Sequence, residues 1–161
     1  MDYPMKYQSV FRPGLFAGQI IIVTGGGSGL GRCTAHELAS LGATVALVGR
    51  KIEKLNAVQQ EIITAGGKAS VHVCDIRDEA LVRSMVSTVL AQHGAIHHLV
   101  NNAGGQFPAL ARNLTLNGWE AVIKNNLTGG FLVSRECYTQ WMEAHGGTIV
   151  NIIADIWGGM P

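Results

Sequence analysis

Short apolar runs alternate along the chain with longer amphipathic stretches, and this rhythm predicts strands separated by helices. Ile20–Val23 is uninterrupted and apolar, as a strand buried on both faces requires. Thr44–Val48, Lys68–Val73, Ile96–Val100 and Thr148–Ile153 are the other strand candidates. Between them, apolar residues recur every three to four positions, predicting helices over Leu30–Leu41, Lys51–Ala65 and Glu79–His93. Gly42, Gly66-Gly67 and Gly94 supply the stops. Thr115–Lys124 and Asn126–His145 read as further helical stretches with a break near Asn125. Strands alternating with helices imply an α/β fold: a doubly wound parallel sheet of Rossmann type with right-handed crossovers. Five strands would equally suit a flavodoxin-like sheet. Residues 1–18 read as an extended leader packed on a single domain spanning 19–161.

The 161 residues, 47% hydrophobic and 14% charged, fit one ordinary globular domain. A net charge of +1 without a basic stripe argues against nucleic acid, and no basic amphipathic helix argues for a membrane surface. The apolar runs are too short to span a bilayer, and residues 1–18 lack a signal-peptide core, so a cytoplasmic protein is expected. Cys33, Cys74 and Cys137 are odd in number and widely spaced, reading as buried free thiols. His97 and His98 open the fourth strand and read as surface residues. No metal site is expected, because useful ligand spacing is lacking.

Chemistry concentrates at the first strand-to-helix turn, Thr24-Gly25-Gly26-Gly27-Ser28-Gly29-Leu30-Gly31. A strand delivering a side-chain-poor loop to a helix N-terminus is what a dinucleotide pyrophosphate needs, because free N–H groups and the helix dipole then face the anion. The spacing is Thr-Gly-x-x-x-Gly-x-Gly, with Gly25, Gly29 and Gly31 at the key places. No Lys-Ser or Lys-Thr pair closes the loop, which argues against a phosphate hydrolase. An NAD enzyme places an acidic ribose reader about 20 residues further on. Gly49-Arg50-Lys51 stands there instead. A guanidinium grips a 2′-phosphate that a carboxylate would repel, favouring NADP(H); the alternative is a solvated helix start.

Two further motifs complete the pattern: Leu99-Val100-Asn101-Asn102-Ala103-Gly104 at the end of the fourth strand, and Asn125-Asn126-Leu127-Thr128-Gly129 in the long helical region. With Thr24–Gly31 and Asp75, they resemble the short-chain dehydrogenase/reductase family, in order and over nearly the whole chain. Asn101–Phe107, Gly118-Trp119, Asn126–Gly129, Trp141-Met142 and His145–Ile153 are similar to the branch of peroxisomal trans-2-enoyl-CoA reductases and their bacterial relatives.

The resemblance implies that Asp75 binds the adenine amino group while Ile76 walls the ring; a helix-capping or turn aspartate is the plainer reading. It places Ala103 and Gly104 against the ribose, with Asn101 and Asn102 partly structural and Thr24 bonded to them. Asn126 matches the active-site asparagine, which breaks the helix and holds a proton-relaying water; an ordinary N-cap would also suit it. The usual catalytic serine is replaced by Ala154, which has no donor, as in the enoyl-thioester branch. Asp155 follows, either catalytic or merely loop-starting. Relatives continue into a Tyr-x-x-x-Lys motif beyond Pro161, so the fold is expected to be incomplete here. Trp119, Phe131, Tyr138 and Trp141 fall where relatives form a helical interface, implying a homodimer or homotetramer through residues 115–145.

The implied activity is NADP(H)-dependent reduction of the activated double bond of a small-molecule acyl thioester. A carbonyl or alcohol dehydrogenase, such as a 3-oxoacyl thioester reductase, is the alternative enzyme. A non-catalytic nucleotide-binding protein is the alternative of another class.

Overall fold

A computed structural model describes residues 9–153. Its strands are β1 (Ile20–Thr24), β2 (Thr44–Gly49), β3 (Lys68–Val73), β4 (His98–Asn101) and β5 (Thr148–Asn151). They form one sheet in the order β3-β2-β1-β4-β5, with every pairing parallel. This is the Rossmann order; the flavodoxin-like alternative would place β1 between β2 and β3.

The apolar runs are continuous because both faces of the sheet are covered. Ile20, Ile22, Ala46, Val48 and Leu99 pack on one side with Val82, Val86 and Val89 of α3 (Glu79–His93). Ile21, Val23, Val45, Leu47 and Val100 face the other side. There they meet Ala35 and Ala39 of α1 (Gly29–Ser40) and Leu55, Val58 and Ile62 of α2 (Ile52–Thr64). Period-two alternation within each strand thus feeds two cores.

Helix punctuation follows local chemistry. Gly94 ends α3 in the left-handed region at φ 78°, and Asp78 caps its start by accepting from the Leu81 amide at 3.0 Å. Thr115 caps α4 (Leu116–Val122), accepting from the Gly118 amide at 3.1 Å, so the predicted start falls on the cap. The expected break near Asn125 is absent. Residues 116–145 instead form one helical rod: α4, a π-type segment Ile123–Thr128, α5 (Gly129–Cys137), a second π-type segment Tyr138–Met142, and α6 (Glu143–His145). Backbone angles stay right-handed helical where these segments meet. Widening to i→i+5 bonding absorbs the irregularity without ending the helix.

Other expectations also need correction. His97 and His98 are half-buried rather than on the surface. His97 Nδ1 accepts from the Ile20 amide at 3.0 Å, and His98 Nε2 pairs with Gln19 Oε1 at 2.5 Å. Cys33 is exposed, because it lies on the outer face of α1, whereas Cys74 and Cys137 are buried. Trp141 is half-buried against the core and stacks on His145 at 3.8 Å, leaving Trp119, Phe131 and Tyr138 as the exposed aromatics of the rod. Of the N-terminal segment, residues 10–15 are exposed and residues 13–18 form turns rather than extended chain, while Phe16 is half-buried and its amide donates to Leu41 O at 3.0 Å. Residues 1–8, Ala154 and Asp155 lie outside the described residues.

Candidate functional site

A cleft of about 550 Å³ opens at the carboxyl ends of β1, β2 and β4. Strand order reverses between β1 and β4, and such a switch point is where open α/β sheets bind ligands.

The glycine loop forms its floor. Gly25 and Gly26 donate to Val48 O at 2.8 and 3.3 Å, tying the loop to β2. Gly25 has φ +68°, and a Cβ there would stand 2.9 Å from Asn102 Nδ2. A Cβ on Gly31 would fall 2.3 Å from Gly25 O and 2.5 Å from Asn102 Nδ2. The start of α1 therefore approaches the loop as closely as backbone permits. Ser28 precedes α1 in extended conformation, its side chain makes no capping bond, and the first turn holds no acid. The first amides of α1 are thereby left open to an anion.

Thr24 is buried beneath this loop and joins β1 to β4. Its Oγ1 accepts from the amides of Asn102 and Ala103, each at 3.0 Å, and donates to Val100 O at 3.4 Å. Asn102 Nδ2 returns a bond to Thr24 O at 2.9 Å. Asn101 reaches the other way: its Nδ2 donates to Ser134 Oγ at 2.8 Å and Asn151 Oδ1 at 2.9 Å, linking β4 to α5 and β5.

Asp75 follows β3 in a tight turn. Arg77 donates to it from Nε at 2.8 Å, from Nη2 at 2.5 Å and from its amide at 3.1 Å. The Arg77 guanidinium holds the Asp75 pKa at about 2 against the opposing effect of burial, with Arg50 adding a weaker attraction. Asp78, not Asp75, caps α3, so of the two plainer readings the turn aspartate applies. Ile76 is buried and packs on Gly129, where a Cβ would stand 2.7 Å from two of its side-chain atoms. Beside Asp75, burial pushes the Cys74 thiol up to about 11, so it is not a nucleophile at neutral pH.

Of the predicted residues, Gly25, Gly27, Ser28, Leu30, Arg50, Lys51, Asp75, Ile76, Asn102, Ala103 and Gly104 line the cleft. Thr24 and Gly31 are buried behind it, whereas Gly29 is exposed at the start of α1 and lies outside its wall. Asn126 is not in its wall, although its neighbour Asn125 is. Asn126 caps no helix: within the π-type segment, its Nδ2 donates to Gly105 O at 2.8 Å while its Oδ1 accepts from the Gly105 amide at 2.9 Å. It clamps the loop that carries Ala103 and Gly104.

Lys54, Leu55 and Gly49 also line the cleft and were missed. Lys54 stands one helical turn beyond Lys51, a spacing that could have revealed it. Among the described residues neither lysine is drawn into an ion pair. Also among them, no group of three or more His, Cys, Asp or Glu could hold a metal ion, and no helix is long and apolar enough to cross a membrane.

Residues 19–157 match the short chain dehydrogenase family. The chain is 31% identical to the peroxisomal 2,4-dienoyl-CoA reductase of Danio rerio, covering 94% of this chain and 51% of that protein. It is 38% identical to the glucose 1-dehydrogenase of Gluconobacter oxydans, covering 84% and 52%. Among solved structures, a citronellol catabolism dehydrogenase of Pseudomonas aeruginosa PAO1 superposes with a TM-score of 0.91 at 59% identity, covering 96% of this chain and 64% of that one. A metagenomic short-chain oxidoreductase in complex with NADP superposes at 0.82 with 39% identity, covering 91% and 66%. The chain spans about half the length of the curated relatives it matches. By this match over most of its length, the chain belongs to the short-chain dehydrogenase family.

Proposed function

We propose that the cleft binds NADP(H) and serves reduction of the activated double bond of an enoyl thioester. The observation that carries the cofactor choice is the corner beyond β2. Arg50, Lys51 and Lys54 all line the cleft there, and no carboxylate stands at the end of the strand. Such a corner suits a 2′-phosphate, since Arg offers two parallel donors and each Lys a point charge. Glu53 is exposed and is not part of the cleft wall. The residues fit the rest of the dinucleotide as well: the Gly25–Gly31 floor admits a pyrophosphate at open amides, and Asp75 and Ile76 lie where adenine would rest.

When bound, NADPH supplies a hydride. Thr24 and Asn102 hold the strand ends in register, and Asn126 fixes Gly105 next to Ala103 and Gly104, the residues that would hold the ribose. Ala154, in the place of the family's usual serine, offers no hydrogen bond to a substrate carbonyl, which favours an acceptor whose developing charge is met by other groups. The likeness to a 2,4-dienoyl-CoA reductase supports the thioester substrate.

A second reading, an alcohol or carbonyl dehydrogenase acting on an isoprenoid substrate, is favoured by the 59% identity to the citronellol catabolism dehydrogenase. Under either reading the partner is a small molecule. The exposed Leu116, Trp119, Leu127 and Phe131 support self-association through the long rod.

The test is titration of NADPH and NADH into the intact protein, followed by turnover with a 2-enoyl-CoA, a 3-oxoacyl-CoA and an isoprenoid alcohol. NADPH should bind at least about tenfold tighter, and Arg50→Asp should remove about 1–3 kcal/mol of that preference. Equal or tighter NADH binding overturns the cofactor reading. Faster turnover of the alcohol than of the enoyl thioester selects the second substrate reading.

A further inference from the structure

Asp75 is held by more donors than a turn aspartate needs. An ionised carboxylate has about four acceptor sites, two on each oxygen. Arg77 Nε and the Arg77 amide occupy both on Oδ1, at 2.8 and 3.1 Å, and Arg77 Nη2 takes one on Oδ2 at 2.5 Å. One acceptor site is left, on Oδ2. The turn enforces this arrangement. Cys74 is pinned to β2 by its amide donating to Gly49 O at 2.9 Å, and the Asp78 amide donates to Asp75 O at 3.0 Å just before α3 begins. Arg77 thus folds back onto Asp75 from a fixed backbone. Asp75 lines the cleft, whereas Arg77 lies outside its wall.

We propose that Arg77 is a positioning residue for purine recognition: it fills three acceptor sites of Asp75 and leaves Oδ2 to receive a single N–H, that of an exocyclic amino group at the purine 6-position. The inference rests on the dinucleotide reading of the cleft. A 6-oxo purine presents an oxygen at the same place, and two acceptors facing each other repel. A free carboxylate could rotate away from that clash or admit a water; one locked by a bidentate guanidinium cannot. Arg77 therefore sharpens discrimination between 6-amino and 6-oxo purines without itself touching the base.

The experiment compares binding of NADPH and of its hypoxanthine analogue to the intact protein and to Arg77→Gln, Asp75→Asn and the double variant, with thermal unfolding of each confirming the fold. The native protein should prefer NADPH by about tenfold or more, and Arg77→Gln should compress the ratio to about threefold or less. In the Asp75→Asn background, Arg77→Gln should change the ratio no further. If the native protein discriminates and Arg77→Gln discriminates equally, the positioning role is overturned while the cleft reading stands. If the native protein binds both nucleotides equally, Asp75 does not read the base, and the proposal falls with that assignment. If it binds neither, the dinucleotide reading itself fails.

Discussion

Replacing Gly31 with alanine tests the contact on which the cleft floor depends. The added Cβ would stand 2.3 Å from Gly25 O and 2.5 Å from Asn102 Nδ2. Both neighbours are fixed: Gly25 is bonded to Val48 O at 2.8 Å, and Asn102 Nδ2 to Thr24 O at 2.9 Å. The overlap is about 1 Å, and it must be relieved by moving α1 off the sheet or pushing Asn102 aside. Overpacking against such a wall costs about 1–3 kcal/mol. Losing the Asn102 bond adds about 1 kcal/mol. Better helix propensity returns at most about 1 kcal/mol. The net loss is about 2 kcal/mol, read as a lower urea midpoint at unchanged slope. Gly29→Ala provides the contrast. Gly29 has φ +53° but open space around its Cβ position, so only the left-handed penalty of about 1 kcal/mol applies. NADPH affinity should also fall more in Gly31→Ala, because the loop itself is displaced. A Gly31→Ala midpoint equal to the native one would refute the close approach of α1 to the loop.

Acid should destabilise the fold in two stages. Burial lowers the pKa of His72, His93 and His98, with His93 adding to the shift at His72 and His97 to that at His98. The unfolded chain therefore binds these protons more readily. Stability is unaffected by these histidines above about pH 6.5 and declines as pH falls below it, whereas Asp75, held at about 2, and the depressed Glu61 and Glu136 lose their contribution only in stronger acid. A urea midpoint unchanged between pH 8 and pH 5 would contradict the first stage. Thiol labelling of the native protein should be confined to the exposed Cys33, since burial raises Cys74 to about 11 and Cys137 to about 12; native-state labelling of Cys137 at the rate of Cys33 would contradict the packing.

The parts of the molecule legible in the sequence are those where backbone geometry restricts residue type. Strands covered on both faces had to be apolar throughout, so β1 and β2 were readable within a residue of their ends. The Gly25–Gly31 loop was readable because a close backbone approach admits no side chain, and the Asn101–Gly104 motif because its amides bridge strands. The unreadable parts depend on what a side chain meets after folding. Nothing in Ile123–Thr128 signals a π-type segment; it forms where Gly129 must seat on Ile76 and Asn126 must reach Gly105. His97 and His98 look like ordinary polar strand-openers, yet His97 accepts from the Ile20 amide, and Gln19 and Phe16 cover His98, with Phe16 edge-on at 5.9 Å. Arg77 and Lys54 escaped notice for the same reason: charged residues at a turn and on a helix surface are ordinarily solvated, and only the position of the cleft distinguishes them. The backbone motifs therefore locate the cleft, while the proposed selectivity rests on exposed-looking charges. Substitutions at Arg50 and Lys54 should accordingly alter ligand preference with little effect on stability, the opposite of what is expected at Gly31 and Thr24.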